Sequence, residues 1–242
     1  MGSTLERGPE RDFRWRGRDV TRLEAVADGV FALALTLVML SDGMPHRFSE
    51  LRAVFVQVVP LLISFVIIAM IWHAHYLFFR RYGLRDGVCA LLNAALMFLV
   101  LLFAYPLKLL FGLICSVVFG FGSPIPVEQI DDVPFPILTV YSLGLASIYT
   151  VIALLYRHAY RQSDALELDR LERFVTRQYE VGSWIMVGFG LVSAMLTLVL
   201  PPPGQAIAGW MYFGIGPVLG VYSARCGRER HALREARDAV SN

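Results

Sequence analysis

Charge is what this sequence has least of. Only 17% of its 242 residues are charged, while 56% are apolar and the mean hydropathy is +0.56. Soluble domains are nearer a quarter charged and roughly 45–50% apolar, so an ordinary soluble domain is excluded wherever the apolar residues run together. Cysteine is also scarce. Cys89, Cys115 and Cys226 share no close spacing, which argues against a disulfide framework or a thiolate metal site. Neither HExxH nor GxSxG occurs, and His73 and His75, two apart, cannot share a helix face, so intramembrane hydrolysis or metal chemistry lacks its parts. A net charge of +2 is too small to suggest nucleic acid as a partner. The Arg-rich N-terminus has no short apolar core with a cleavage site, so it does not read as a secretory signal. No internal repeat is visible, nor a soluble enzyme-sized domain.

What the chain has is long apolar runs. A spanning helix takes about 20 apolar residues at roughly 1.5 Å each. Six segments qualify, at about 21–40, 54–79, 87–110, 135–157, 180–200 and 206–224, with the third able to run on towards Phe119. The expected fold class is an all-α integral membrane protein. Residues 1–20 form an Arg-rich segment, 21–224 the six-span domain and 225–242 a basic tail. The largest external connection is expected within 111–134, which holds Pro124, Pro126, Pro134 and Pro136. The stretch RQSDALELDRLERFVTRQYE mixes both signs and should be helical with a solvated face. Of the 22 basic residues, all but Arg47, Arg52 and Lys108 fall on one side if six spans alternate. Basic residues stay inside, so both termini are expected in the cytoplasm.

Polar residues at bilayer depth carry the remaining information, because a charge there costs a few kcal/mol or more. Asp28 lies about 9 Å beyond Arg22 along the first span, His75 about 8 Å before Arg80 on the second, and Asn93 about 10 Å beyond Asp86 on the third. Three polar groups on consecutive helices thus share a depth. With the Trp72 indole one turn from His75, and Arg22 bending back, they can form one network around the carboxylate. Such a network can glue helices together at roughly 0.6–2 kcal/mol per bond; the other reading is that Asp28 and His75 titrate. At about 100° per residue, Leu33, Leu37 and Leu40 form one stripe with Thr36 at its edge, while Asp28 points elsewhere. Met186-Val187-Gly188-Phe189-Gly190 mimics a potassium filter, but it lies inside a continuous apolar run where small residues favour close helix packing.

Arg22-x-x-x-Val26-Ala27-Asp28, followed by Gly29-Val30-Phe31-Ala32-Leu33-Ala34-Leu35-Thr36-Leu37, resembles the first-span motif of the transmembrane protein 175 family, R-x-x-x-F-S-D with an apolar run. Trp72-x-x-His75 and Asn93 also look like that family's pattern. Val26 and Ala27 replace its Phe and Ser, which removes a hydroxyl from the polar cluster. The resemblance covers the six-span topology, with specific residues only in the first three spans. It implies a potassium-permeable channel of a prokaryotic plasma membrane, with no enzyme activity and no organic cofactor. Its ligands would be potassium and other monovalent cations, and its partners the bilayer and three further copies of the chain. The implied homotetramer has the first span lining the pore and no TVGYG filter. By position, Leu33 would form the narrowest ring, Leu37 and Leu40 further layers, and Thr36 would bear on ion preference. The rival expectation is a proton-coupled transporter or proton-permeable channel using Asp28 and His75. The absence of inverted repeats and paired broken helices weakens it.

Overall fold

Inside a bilayer each backbone N–H and C=O must be satisfied within its own segment, so each apolar run has to become a helix. A computed structural model of the chain describes residues 12–17, 19–40, 55–120, 137–201 and 206–241. Among them the regular structure is helical throughout: α1 (Arg22–Leu40), α2 (Val58–Tyr82), α3 (Gly87–Phe119), α4 (Ile137–Arg161), α5 (Arg170–Val199), the short α6 (Ala206–Trp210), a 3-10 turn at Met211–Gly214, and α7 (Ile215–Ser241). Six helical stretches are long and apolar enough to cross a membrane, the last running through α6, the turn and α7.

The boundaries follow local chemistry. Gly83, at φ +60°, closes α2 with its amide on the Phe79 carbonyl, a left-handed cap that glycine adopts without strain. Asp86 then opens α3 by accepting from the Cys89 amide at 2.8 Å. Asp169 and Glu172 form a reciprocal capping box at the start of α5. Pro106 interrupts α3, removing one backbone donor from the i→i−4 ladder. Pro217 sits in the first turn of α7, where a missing N–H breaks no intrahelical bond.

Several helices outrun their expected limits. α2 reaches Tyr82, α4 reaches Arg161, and α5 starts at Arg170 rather than near 180, while α3 runs on to Phe119 as its apolar sequence allows. Residues 111–119 of the expected external connection are therefore helical, while Pro124, Pro126, Pro134 and Pro136 lie outside the described residues. The basic tail continues α7 as helix to Ser241. In the mixed-charge stretch, Arg161 ends α4 and 162–167 are turns, so helix resumes only at Arg170. Glu167 adopts φ +50° there.

The most extensive packing is between α4 and α5, and α1 lies against α2 and α3. Gly190 makes the α4–α5 approach possible: a Cβ there would fall 2.7 Å from the Ser142 carbonyl oxygen. The filter-like Met186–Gly190 stretch is thus uninterrupted helix packed against α4. Hydroxyls join the same pair, Thr139 to Thr197 at 2.5 Å and Ser142 to Ser193 at 2.9 Å. Glycine, serine and threonine let membrane helices approach closely and bond across the interface.

Candidate functional site

The first turn of α1 is set by its own sequence. Glu24 accepts from the Thr21 amide and hydroxyl at 3.1 and 2.9 Å, and the Glu24 amide donates back to Thr21 Oγ1 at 3.1 Å. This Thr-x-x-Glu capping box was legible in the sequence as a helix start. Glu24 is buried, so its carboxylate serves the helix rather than the solvent.

Beyond that turn, α1 presents two faces. Ala27, Phe31, Ala34 and Val38 are buried against the rest of the chain, Phe31 and Val38 being only 2% and 1% exposed. Leu33, Leu37 and Leu40 are 60%, 43% and 48% exposed. The rotation of about 100° per residue puts these two sets on different sides of the helix. Thr36 borders the open face, and its hydroxyl donates to the Ala32 carbonyl at 2.9 Å. With that proton committed, the lone pairs of Oγ1 are what remains for a ligand.

The five polar residues expected to form one network are arranged as two separate pairs and a free-standing arginine. The Trp72 indole donates to Asp28 Oδ1 at 2.8 Å, on an exposed surface between α1 and α2. His75 and Asn93 meet elsewhere, His75 Nε2 donating to Asn93 Oδ1 at 2.7 Å with both residues buried. Phe31 and Phe79 close over the imidazole, with ring centroids 5.6 and 4.7 Å away. Arg22 is exposed and does not bend back onto the pairs. Position along each helix follows from the rise per residue. Helix rotation does not, and it separates Asp28 from His75. His73 faces out while His75 faces in.

A second cluster escaped the sequence reading. Ahead of α1, residues 12–17 run as an extended strap across the arginine-rich end of the helices. Phe13 is buried edge-on against Tyr82 at 5.2 Å, with the Arg81 guanidinium 5.4 Å from its ring. Arg14 and Arg16 both reach Glu172 on α5, whose side chain is wholly buried, at 3.3 and 2.7 Å. The hydrogen bond to Glu172 raises the Arg14 pKa above its ordinary value. Asp12 pairs with Arg234 and, at 3.6 Å, with Arg230 on α7. The arginines read from sequence as a topological signal are therefore in part specific ligands of acidic groups. Nearby, His158 and Gln162 each donate to Asp86 Oδ2 at 2.8 Å. Partial burial pushes the Asp86 carboxyl up, but the Cys89 amide, His158 and Gln162 outweigh it and bring the pKa down to about 2.

Among the described residues, six helical stretches long and apolar enough to cross a membrane mark a multi-pass membrane protein. The family model described as endosomal/lysosomal potassium channel TMEM175 matches residues 22–103, which contain α1, α2 and the motif residues. A potassium channel of Marivirga tractuosa is 34% identical over 235 residues, 93% of this chain and 95% of that protein. A potassium channel of Chamaesiphon minutus is 26% identical, over 84% of this chain and 92% of its own. A crystal structure of a variant of the potassium channel MtTMEM175, bound to a Nanobody-MBP fusion protein, superposes with a TM-score of 0.77 at 32% identity, covering 91% of this chain and 99% of that one. A TMEM175 homologue of Chamaesiphon minutus, 23% identical with a TM-score of 0.50 over 85% of this chain and 96% of its own, shares the fold. The chain belongs to the TMEM175 family. Its relatives are channels, not enzymes.

Proposed function

We propose that this chain forms a potassium-permeable cation channel in a prokaryotic plasma membrane, as a homotetramer with α1 lining a central pore and both termini in the cytoplasm. Relatives 34% and 32% identical are named as potassium channels, and the arginine distribution supports the orientation. One observation carries the pore assignment. α1 buries Phe31, Ala34 and Val38 against its own subunit and leaves Leu33, Leu37 and Leu40 uncovered, on the helix that bears the family motif. One pore helix cannot enclose a pathway, so several copies must converge about an axis.

In that arrangement Leu33 forms the narrowest ring and Leu37 and Leu40 the layers beyond it. Leucine rings control passage by dewetting: when closed, the throat is too narrow and apolar for a hydrated ion, and a small shift of the helices rewets it. No TVGYG filter is needed. Selectivity for potassium over sodium is then modest, and Thr36 Oγ1 offers an oxygen to a partly dehydrated cation at the edge of the stripe. Asp28 and Trp72, and His75 and Asn93, hold α1 to α2 and α2 to α3. A proton relay from Asp28 to His75 has no direct bond to run along, since each is bonded to a different partner.

The test is flux in liposomes under bi-ionic conditions. Leu33→Ala is expected to raise potassium flux and relax selectivity, and Thr36→Val to change the ion preference more than the total flux. If Leu33 substitutions leave conductance untouched while permeation persists, the ring lies elsewhere and the open face of α1 meets lipid.

A further inference from the structure

Glu172 is the most completely enclosed carboxylate among the described residues, and it is overcommitted. As the third residue of α5 it accepts from the Asp169 amide at 3.1 Å in the capping box. The same two oxygens also accept the Arg14 amide at 2.8 Å and both guanidinium groups of the strap. A capping box needs none of the latter, and stability alone does not call for a buried ion pair, which hydrophobic replacement often equals. The loop before α5 is shaped to the same end. With Glu167 at φ +50°, the carbonyls of Leu166 and Glu167 accept from Arg16 at 2.8 and 3.2 Å.

The strap is fixed at its other end too. The amides of Arg16 and Gly17 both donate to the Arg80 carbonyl at 3.1 Å, and Arg80 returns a bond to the Gly17 carbonyl at 3.0 Å. A Cβ at Gly17 would run into the Phe79 carbonyl oxygen. The backbone therefore lies directly on the end of α2. α1 begins at Arg22, a few residues on, and a connection that short bounds how far the start of α1 can lie from the strap, at no more than roughly 3.3–3.6 Å per residue. Whatever holds the strap thus limits where α1 can start.

We propose that Glu172 is a positioning residue for conduction: by clamping Arg14 and Arg16 it sets the starting point of α1 relative to α2 and α5, and with it the closure of the leucine face. This rests on the reading of α1 as the pore helix. Because Asp12 joins the strap to α7 through Arg230 and Arg234, the tail helix biases the same element.

The test uses the full chain in planar bilayers, with hydrogen exchange at residues 12–17 and thermal stability measured in parallel. Glu172→Gln and Arg16→Gln are each expected to speed exchange in the strap and change open probability roughly tenfold, within the range of site-to-site couplings. The double variant should change it no further, and unitary conductance should stay as it was because the leucine ring is intact. Arg16→Lys should recover part of the effect. If Glu172→Gln does not assemble, Arg16→Gln, at a side chain 16% exposed against 0% for Glu172, decides alone. Strap release with unchanged open probability would overturn the proposal, as would full strap protection in Glu172→Gln. Leu33→Ala in the same bilayers keeps the two readings apart. If Leu33→Ala leaves conductance unchanged, the reading of α1 as the pore helix fails and the positioning role falls with it; if Leu33→Ala changes conductance while strap release leaves open probability as it was, the positioning role alone fails.

Discussion

The α4–α5 pair and the first helix bury themselves by opposite means. Along α4 and α5, a glycine pressed on a backbone carbonyl and two hydroxyl pairs leave little freedom for either helix to slide. α1 instead keeps one packed side, a single polar tie from Asp28 to Trp72 and a leucine face that stays largely open. Tight small-residue packing suits a frame. A helix held by one face and by its entry strap suits a part whose rotation matters, since packed interfaces tend to have discrete alternative arrangements rather than a continuum.

This contrast can be broken within α1 itself. Phe31→Ala empties a fully packed site and is expected to cost about 3–5 kcal/mol, read as a lower unfolding midpoint and poor assembly. Leu33→Ala, two residues along, should barely move that midpoint while changing flux. Equal loss of stability in both would erase the distinction between the two faces. In the frame, Gly190→Leu forces a large side chain against the Ser142 carbonyl and is expected to cost about 3 kcal/mol or more, seen as loss of detergent-stable protein. Asn93→Ala removes the acceptor of the buried His75 N–H, a loss of about 1–3 kcal/mol. Asp28→Asn, at the exposed pair, should leave the fold intact and chiefly reduce tetramer yield on size-exclusion chromatography. Intact assembly with an abolished pH response of the current would instead favour titration by Asp28.

The smallest effect belongs to the turn between α2 and α3. Asp86 has a folded pKa of about 2 against an ordinary 3.8. A depressed carboxyl stabilises the fold above the unfolded value, and that contribution fades as pH falls from about 4 to about 2. Because Asp86 is about a third exposed, solvent screening keeps the effect under ~1 kcal/mol. Asp86→Asn should flatten the pH dependence of the thermal midpoint in that window, and an unchanged slope would show that other carboxylates carry it.

Much of this protein is legible without coordinates. The six spans stand out because hydrocarbon forbids unpaired backbone, and the positions of Leu33, Leu37, Leu40 and Phe31 on α1 follow from helical periodicity alone. Thr21-x-x-Glu24 and Asp169-x-x-Glu172 carry helix-start signals that the apolar runs alone do not show, which is why α5 begins at Arg170, ahead of its apolar run. The strap is another matter. Nothing in the order of residues links Arg14 and Arg16 to an acid 150-odd positions away, and charge counting reads all of them only as a side preference.

Local chemistry, then, determined which segments become helices, where they begin and which of their residues share a face. Backbone satisfaction and periodicity act over a few neighbouring residues, so the chain carries them in its order. Only the tertiary structure decided that Asp28 meets Trp72, that His75 meets Asn93, and that a buried Glu172 grips the strap before α1. Those pairings depend on how far each helix is rotated and shifted against its neighbours, which many weak contacts between distant segments settle together.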